Sequence, residues 1–270
     1  MVLVDYHNHT SFSGDCAEEM EAVIMAAIEK KIKIIAITEH LEIGTALESG
    51  YGLDVEKYIA KAKKLKDQYK NYIDVVIGIE VGFNSESSDD VKKKISSITS
   101  NRDIEFVINS THSIGEFNFL TNEFFEDKSK DEAYYKYLEQ VLSNVNEFED
   151  YDIVAHLDFI CRYGDYKDKS LDYAKYFTII DEILMSIIRK DKGIEVNTSG
   201  VRYGRGDFYP SADILKRYRE LGGKKITIGS DSHKACDVGC DVDKAIEKLK
   251  SIGYEEISIV KNREWYFMSI

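Results

Sequence analysis

The stretch "IKIIAIT" at 32–38 is an almost unbroken run of β-branched apolar residues. It does not alternate between apolar and polar, so it suits a strand covered on both faces, as in a parallel sheet wrapped by helices. Outward from it the pattern repeats. "VLVDYH" (2–7), "IDVVIGIEV" (73–81), "IEFVINSTH" (104–112), "DIVAHL" (152–157), "GIEVNTS" (193–199) and "KITIGSD" (225–231) are further candidate strands. Each is followed by a segment of helical periodicity, such as "DVEKYIAKAKKLKDQY" (54–69) or "DEAYYKYLEQVLSNVNEF" (131–148). Seven strand-then-helix units predict parallel βαβ construction, as either a closed barrel or a doubly wound sheet. No glycine-rich dinucleotide or phosphate loop follows any strand. No Pro- or Ser-rich linker divides the chain, so residues 1–270 read as one domain. The tail "EEISIVKNREWYFMSI" (255–270) fits either an eighth strand or a segment packed across the closing seam of a barrel.

All six histidines fall at or just past the C-terminal end of a candidate strand: His7 and His9, His40, His112, His156 and His233. Glu39 and Glu80 end the second and third strands, and Asp231 ends the seventh. In a parallel barrel these ends converge on one rim, where active sites of such folds are built. A lone histidine at a strand end is ordinarily a hydrogen-bonded surface residue. Six beside acids form a metal-binding set, because imidazole and carboxylate hold zinc, iron or manganese. A bridging carboxylate such as Glu80 lets two cations sit roughly 3.5 to 4 Å apart despite their repulsion. In extended chain the two-residue spacing of His7 and His9, and of Asp231 and His233, points both members of each pair the same way.

Composition narrows the function. With 36 basic against 49 acidic residues the formal net charge is -13, which repels a nucleic-acid backbone. The opening "MVLVDYHN" contains neither a basic region nor a long apolar one, and no window nears the roughly 18 apolar residues of a membrane span. A cytoplasmic protein is expected. Cys16, Cys161, Cys236 and Cys240 lack paired C-x-x-C spacing and read as reduced structural thiols.

The motifs "DYHNHTSFSGD" (5–15), "AITEH" (36–40), "GIEVGF" (78–83), "STHSIG" (110–115), "AHLDFI" (155–160) and "GSDSH" (229–233) together resemble the PHP (polymerase and histidinol phosphatase) family. That resemblance spans nearly the whole chain. It implies a distorted seven-stranded (β/α)7 TIM-like barrel with three divalent transition-metal ions (zinc, iron or manganese) at the C-terminal rim. It also implies their ligands: His7, His9, Glu80 and Asp231 for the first, Glu80, His112 and His156 for the second, and Asp15, His40 and His233 for the third. At Asp15 many family members have histidine. The stretches "HLDFICRYGD", "IEVNTSGVRYG" and "YPSADILKRYRELGGKKITIGSDSH" are most similar to the stand-alone histidinol-phosphate phosphatases.

The expected activity is therefore metal-dependent hydrolysis of L-histidinol phosphate in histidine biosynthesis, a phosphoric monoester hydrolase reaction. The metals would activate water and neutralise the phosphoryl oxygens. Glu80 and Asp231 are the expected catalytic carboxylates, and a metal-bound water or Asp231 the candidate proton donors. Arg162 and Arg202, after the fifth and sixth strands, are the candidate phosphate clamp, with Arg205 in reserve. Asn197 and Ser199 read as a loop cap or as substrate contacts. The expected partner is a small phosphate monoester, with no nucleic acid and no membrane, and homo-oligomerisation open. The competing readings are a PHP-type phosphoesterase acting on nucleotides or nucleic-acid ends, and a catalytically silent metal-binding domain.

Overall fold

A computed structural model of the protein describes residues 3–270; Met1 and Val2, the latter expected to begin the first strand, lie outside the described residues. The strands β1 (Leu3–Asp5), β2 (Ile32–Leu41), β3 (Asp74–Gly82) and β4 (Phe106–Ser110) pair in parallel. After β4 the chain makes a small antiparallel hairpin, β5 (Ser113–Ile114) and β6 (Phe117–Asn118). It then returns to the sheet as β7 (Ile153–Val154), β8 (Gly193–Asn197) and β9 (Ile226–Gly229). The sheet order β1-β2-β3-β4-β7-β8-β9 follows the chain, as repeated βαβ units require.

The ends of this sheet meet. Tyr6 N donates to Ile228 O at 2.8 Å and His9 N to Ser232 O at 2.9 Å, and Asn8 forms a parallel bridge with Ser232. The buried Asp5 carboxylate ties the seam further, accepting from Ser230 N and Oγ and from Gly239 N. Those bonds decide the fold in favour of a nearly closed barrel over an open doubly wound sheet.

Helices α1 (Met20–Glu29), α2 (Val55–Tyr69), α3 (Asp89–Thr99), α4 (Lys130–Glu147), α5 (Tyr173–Arg189), the single turn α6 (Ser199–Arg202), α7 (Ala212–Glu220) and α8 (Val242–Ile252) connect the strands. Their starts follow from the sequence. Asp54 and Ser88 accept from backbone N–H groups of the first turns of α2 and α3, and Ser129 and Glu132 form a reciprocal capping box on α4. The longer helices bury apolar residues on one side, as Met20, Val23, Ile24 and Ala27 do in α1.

Three expectations are corrected. The fifth strand shrinks to Ile153–Val154, because His156 takes φ +26° and leaves the extended conformation. The seventh stops at Gly229, and Asp231 has φ +52°, so its relation to His233 is not that of extended chain. The tail is not an eighth barrel strand. It forms an antiparallel hairpin, β10 (Glu256–Lys261) and β11 (Glu264–Ser269), outside the seven-stranded sheet. Its partners lie near the strand starts: Lys261 pairs with Asp74, Arg263 with Asp150 and Asp152, and Ser258 Oγ accepts from Ile226 N. The hairpin thus closes the N-terminal mouth, and Tyr6 reaches down the barrel so that its hydroxyl bonds Val260 O.

Candidate active site

Glu80 occupies the centre of the opposite mouth. It lies opposite His40 in the β2–β3 register and is buried. Its Oε1 is 3.2 Å from His112 Nε2 and 3.0 Å from His156 Nε2, and accepts from Ser110 Oγ. Its Oε2 is 3.2 Å from His7 Nε2, 3.4 Å from His9 Nε2 and 2.9 Å from His40 Nδ1. One carboxylate therefore faces imidazoles on both oxygens. Toward solvent, Asp15 Oδ2 lies 3.1 Å from His233 Nε2 and 3.6 Å from His40 Nε2, while Asp231 Oδ1 lies 3.6 Å from His9 Nε2 and from His233 Nδ1. All nine metal-ligand candidates converge on one pocket region, although they span 227 positions of sequence from His7 to His233.

These contacts are poorly explained as hydrogen bonding alone. Glu80 Oε2 and His40 Nδ1, although 2.9 Å apart, are not aligned as a hydrogen bond, His156 Nδ1 is buried without a partner, and His7 Nε2 and His9 Nε2 face one another at 3.1 Å. Buried polar atoms are normally partnered, so imidazoles and carboxylates crowded together without good hydrogen bonds are what a cation site requires. The ligand atoms of His7, His9 and Glu80, of Glu80, His112 and His156, of His9, His40 and His233, and of His40, Glu42 and His112 form four overlapping groups, each within 4.8 Å. The donor set fits transition-metal ions.

Charge follows the same arrangement. Burial opposes charge on His7, yet Glu195, Glu80 and Asp231 hold its pKa well above the ordinary imidazole value. Burial likewise opposes charge on His112, which Glu80 and Glu42 raise to about 9. His9, buried and flanked by His40 and His233, is pushed well below it. Asp231 would be raised by burial, but His7 and His233 keep it below the usual carboxylate range. Metal binding would displace protons from such imidazoles. Two site residues, His156 and Asp231, hold left-handed backbone, which concentrates strain at this mouth.

The pocket has a volume of about 290 Å³, with the histidines and carboxylates as its floor and Tyr51, Phe119, Phe159, Tyr163 and Tyr203 among its walls. Arg162, in the turn after β7, lines it with its guanidinium 3.3 Å from the Tyr203 ring centroid. Arg202 is not among the residues lining it: its Nη2 donates to Ser230 O at 2.6 Å and Asp231 O at 3.0 Å, while its Nη1 is buried without a partner. Arg205 is ion-paired with the buried Asp158. Asn197 Oδ1 accepts from Ser199 N and Oγ, which makes this pair a loop cap. Burial raises the Cys16 thiol to about 11 and the Cys161 thiol to about 12, so neither is a nucleophile.

Sequence reasoning missed Glu42 and Glu195, buried acids beside His112 and His7. A charged residue inside the apolar run "GIEVN" was the available signal for Glu195. Glu39 points away from Glu80, accepting from Thr10 N and Ser13 Oγ, and Ser13 Oγ in turn lies 3.1 Å from His9 Nδ1.

Comparison with known proteins identifies the family of this chain. Residues 5–199 match the PHP domain model. A histidinol-phosphatase of Lactococcus lactis is 33% identical over 96% of this chain and 94% of its own length, and a probable histidinol-phosphatase of Clostridium acetobutylicum is 29% identical over 96% and 98%. The crystal structure of the Lactococcus lactis histidinol phosphate phosphatase, complexed with zinc, L-histidinol and phosphate, superposes with a TM-score of 0.87 at 32% identity, covering 98% of each chain. A putative histidinol phosphatase structure from Listeria monocytogenes, at 20% identity and a TM-score of 0.76, shares the fold.

Proposed function

This chain belongs to the PHP-domain family and is a metal-dependent histidinol-phosphatase, and we propose that its rim cluster hydrolyses L-histidinol phosphate to L-histidinol and phosphate around three divalent ions. The observation that carries this reading is Glu80, with imidazole nitrogens 2.9 to 3.4 Å from its two oxygens. His7, His9, Glu80 and Asp231 would hold the first ion, Glu80, His112 and His156 the second, and Asp15, His40 and His233 the third. Zinc, iron or manganese suits these donors. When bound, the ions supply a water-derived nucleophile near neutral pH and neutralise the phosphoryl oxygens.

The chain's own residues do the rest. Arg162, the cation on the pocket wall, binds the phosphate from the side away from the histidines, and its planar fork matches phosphate oxygens. Asp231, which burial would raise but His7 and His233 keep below the usual carboxylate range, is an ionised donor for the first ion. Arg202 holds the backbone of Ser230 and Asp231, which makes it a positioning residue. The apolar and tyrosine-rich walls surround the organic part of the ester and exclude water.

We place residues 1–270 in one domain, supported by a single contiguous apolar core, and the enzyme in the cytoplasm, supported by four unpaired cysteines. Among the described residues no helix is long and apolar enough to cross a membrane. Phosphate release from L-histidinol phosphate, nucleotides and sugar phosphates under one metal condition tests the assignment. A clear preference for L-histidinol phosphate is expected, and equal or faster release from nucleotides or an oligonucleotide end would overturn it.

A further inference from the structure

Two of the proposed ligands are gripped from behind by carboxylates that the ion assignment leaves unused. His7 Nδ1 lies 2.7 Å from Glu195 Oε1, and His112 Nδ1 lies 2.6 Å from Glu42 Oε1. Both acids are buried. An ionised carboxylate only accepts hydrogen bonds, so the ring nitrogen facing it carries the proton. Once a cation displaces the second proton, the lone pair of each ring is on Nε2, the nitrogen that lies 3.2 Å from a Glu80 oxygen.

The second oxygen of each acid is also occupied. Glu195 Oε2 accepts from the backbone N–H of His156 at 3.2 Å and from Asn197 Nδ2 at 2.9 Å, and Glu42 Oε2 accepts from Thr45 Oγ1 at 2.8 Å. Glu195 therefore links the His7 ring to the strained backbone of His156. Each acid also sits over a glycine: a methyl group on Gly229 would overlap Glu195 Oε1 and His7 Cβ, and one on Gly82 would overlap the Glu42 carboxylate. Neither glycine has a positive φ, so what they supply is room.

We propose that Glu195 and Glu42 are positioning residues that fix the tautomer and aim of His7 and His112, and that Gly229 and Gly82 are small in order to admit them. The inference rests on the metal reading above and extends it to residues that touch neither ion nor substrate. Partners of this kind typically change metal affinity 10- to 100-fold.

The test is zinc binding to metal-stripped protein, read by competition with a chromophoric chelator and by elemental analysis, for wild type, Glu195→Gln, Glu42→Gln and Gly229→Ala. Glutamine keeps the shape and an acceptor oxygen but removes the charge. Both glutamine variants should hold as many zinc equivalents as wild type with affinity about 10- to 100-fold lower, and excess zinc should restore most of their turnover. Gly229→Ala, which displaces Glu195 without removing it, should shift zinc affinity in the same direction. Wild-type zinc affinity in both glutamine variants would overturn the inference while leaving the phosphatase reading intact. Loss of a whole equivalent in Glu42→Gln would make Glu42 a direct ligand, overturning its positioning role. Failure of the wild-type protein to bind zinc, iron or manganese would overturn both readings.

Discussion

The two mouths of this barrel use charge in opposite ways. At the N-terminal mouth the β10–β11 hairpin brings each cation to a waiting acid: Arg263 meets Asp150 and Asp152, and Lys261 meets Asp74. At the C-terminal mouth, six imidazoles crowd around Glu80, Asp231 and Asp15, and Glu80 Oε2, His40 Nδ1 and His156 Nδ1 are buried without an aligned hydrogen bond. Matched ion pairs hold the bottom of the barrel shut. Crowded, imperfectly bonded polar groups at the top cost stability unless protons or cations fill the space between them. Stability and chemistry are thus divided between the ends of one sheet, as the barrel architecture favours.

The sharpest way to break this contrast is to remove its centre. Glu80→Ala should abolish most turnover and lower bound metal by at least one equivalent, since the residue faces both proposed ion sites, while the barrel remains folded. Near wild-type turnover and metal content would mean that the bridge is misassigned. Phosphate release, elemental analysis and circular dichroism read the three quantities.

The arginines test how far the functional mouth extends. Arg162→Lys keeps the charge but loses the fork and the stacking on Tyr203, so kcat/KM should fall by about 1.5–3 kcal/mol, or roughly ten- to a hundredfold, with metal content unchanged. Arg202→Lys should cost less, because Arg202 acts through the backbone of Ser230 and Asp231. An Arg202→Lys effect larger than that of Arg162→Lys would reverse the two roles.

The smallest catalytic effect is expected at the other mouth. Arg263→Ala leaves the buried Asp152 carboxylate without its cation and should destabilise the fold by about 1–3 kcal/mol in denaturant unfolding. kcat/KM under native conditions should stay at the wild-type value. A large catalytic loss from this variant would mean that the ends of the barrel are coupled and not divided.

Much of this was legible in the sequence because it rests on local pattern. Seven apolar runs such as "IKIIAIT" announce strands, and a parallel barrel gathers whatever stands at their ends, so His7 and His233 could be placed together without long-range information. What was not legible depends on side-chain direction or on distant partners. Arg162 and Arg202 follow successive strands, yet only Arg162 lines the pocket. Glu195 finds His7 across 188 positions, and no spacing rule connects them. The tail reads as strand, and it is, but pairing with itself across a two-residue turn won over joining the sheet. The fifth strand reads six residues long, and the left-handed turn at His156 that shortens it is set by tertiary contacts such as the Glu195 bond to its backbone.

The central claim is that cations filling the C-terminal mouth carry the hydrolysis. The most direct measurement is phosphate release from L-histidinol phosphate by metal-stripped protein reconstituted stepwise with zinc or manganese, plotted against equivalents bound. The rate should be near zero without metal and should rise with occupancy until about three equivalents are held, the number in the proposed assignment of ligands. A full rate in metal-free protein, or a rate indifferent to occupancy, would contradict the account.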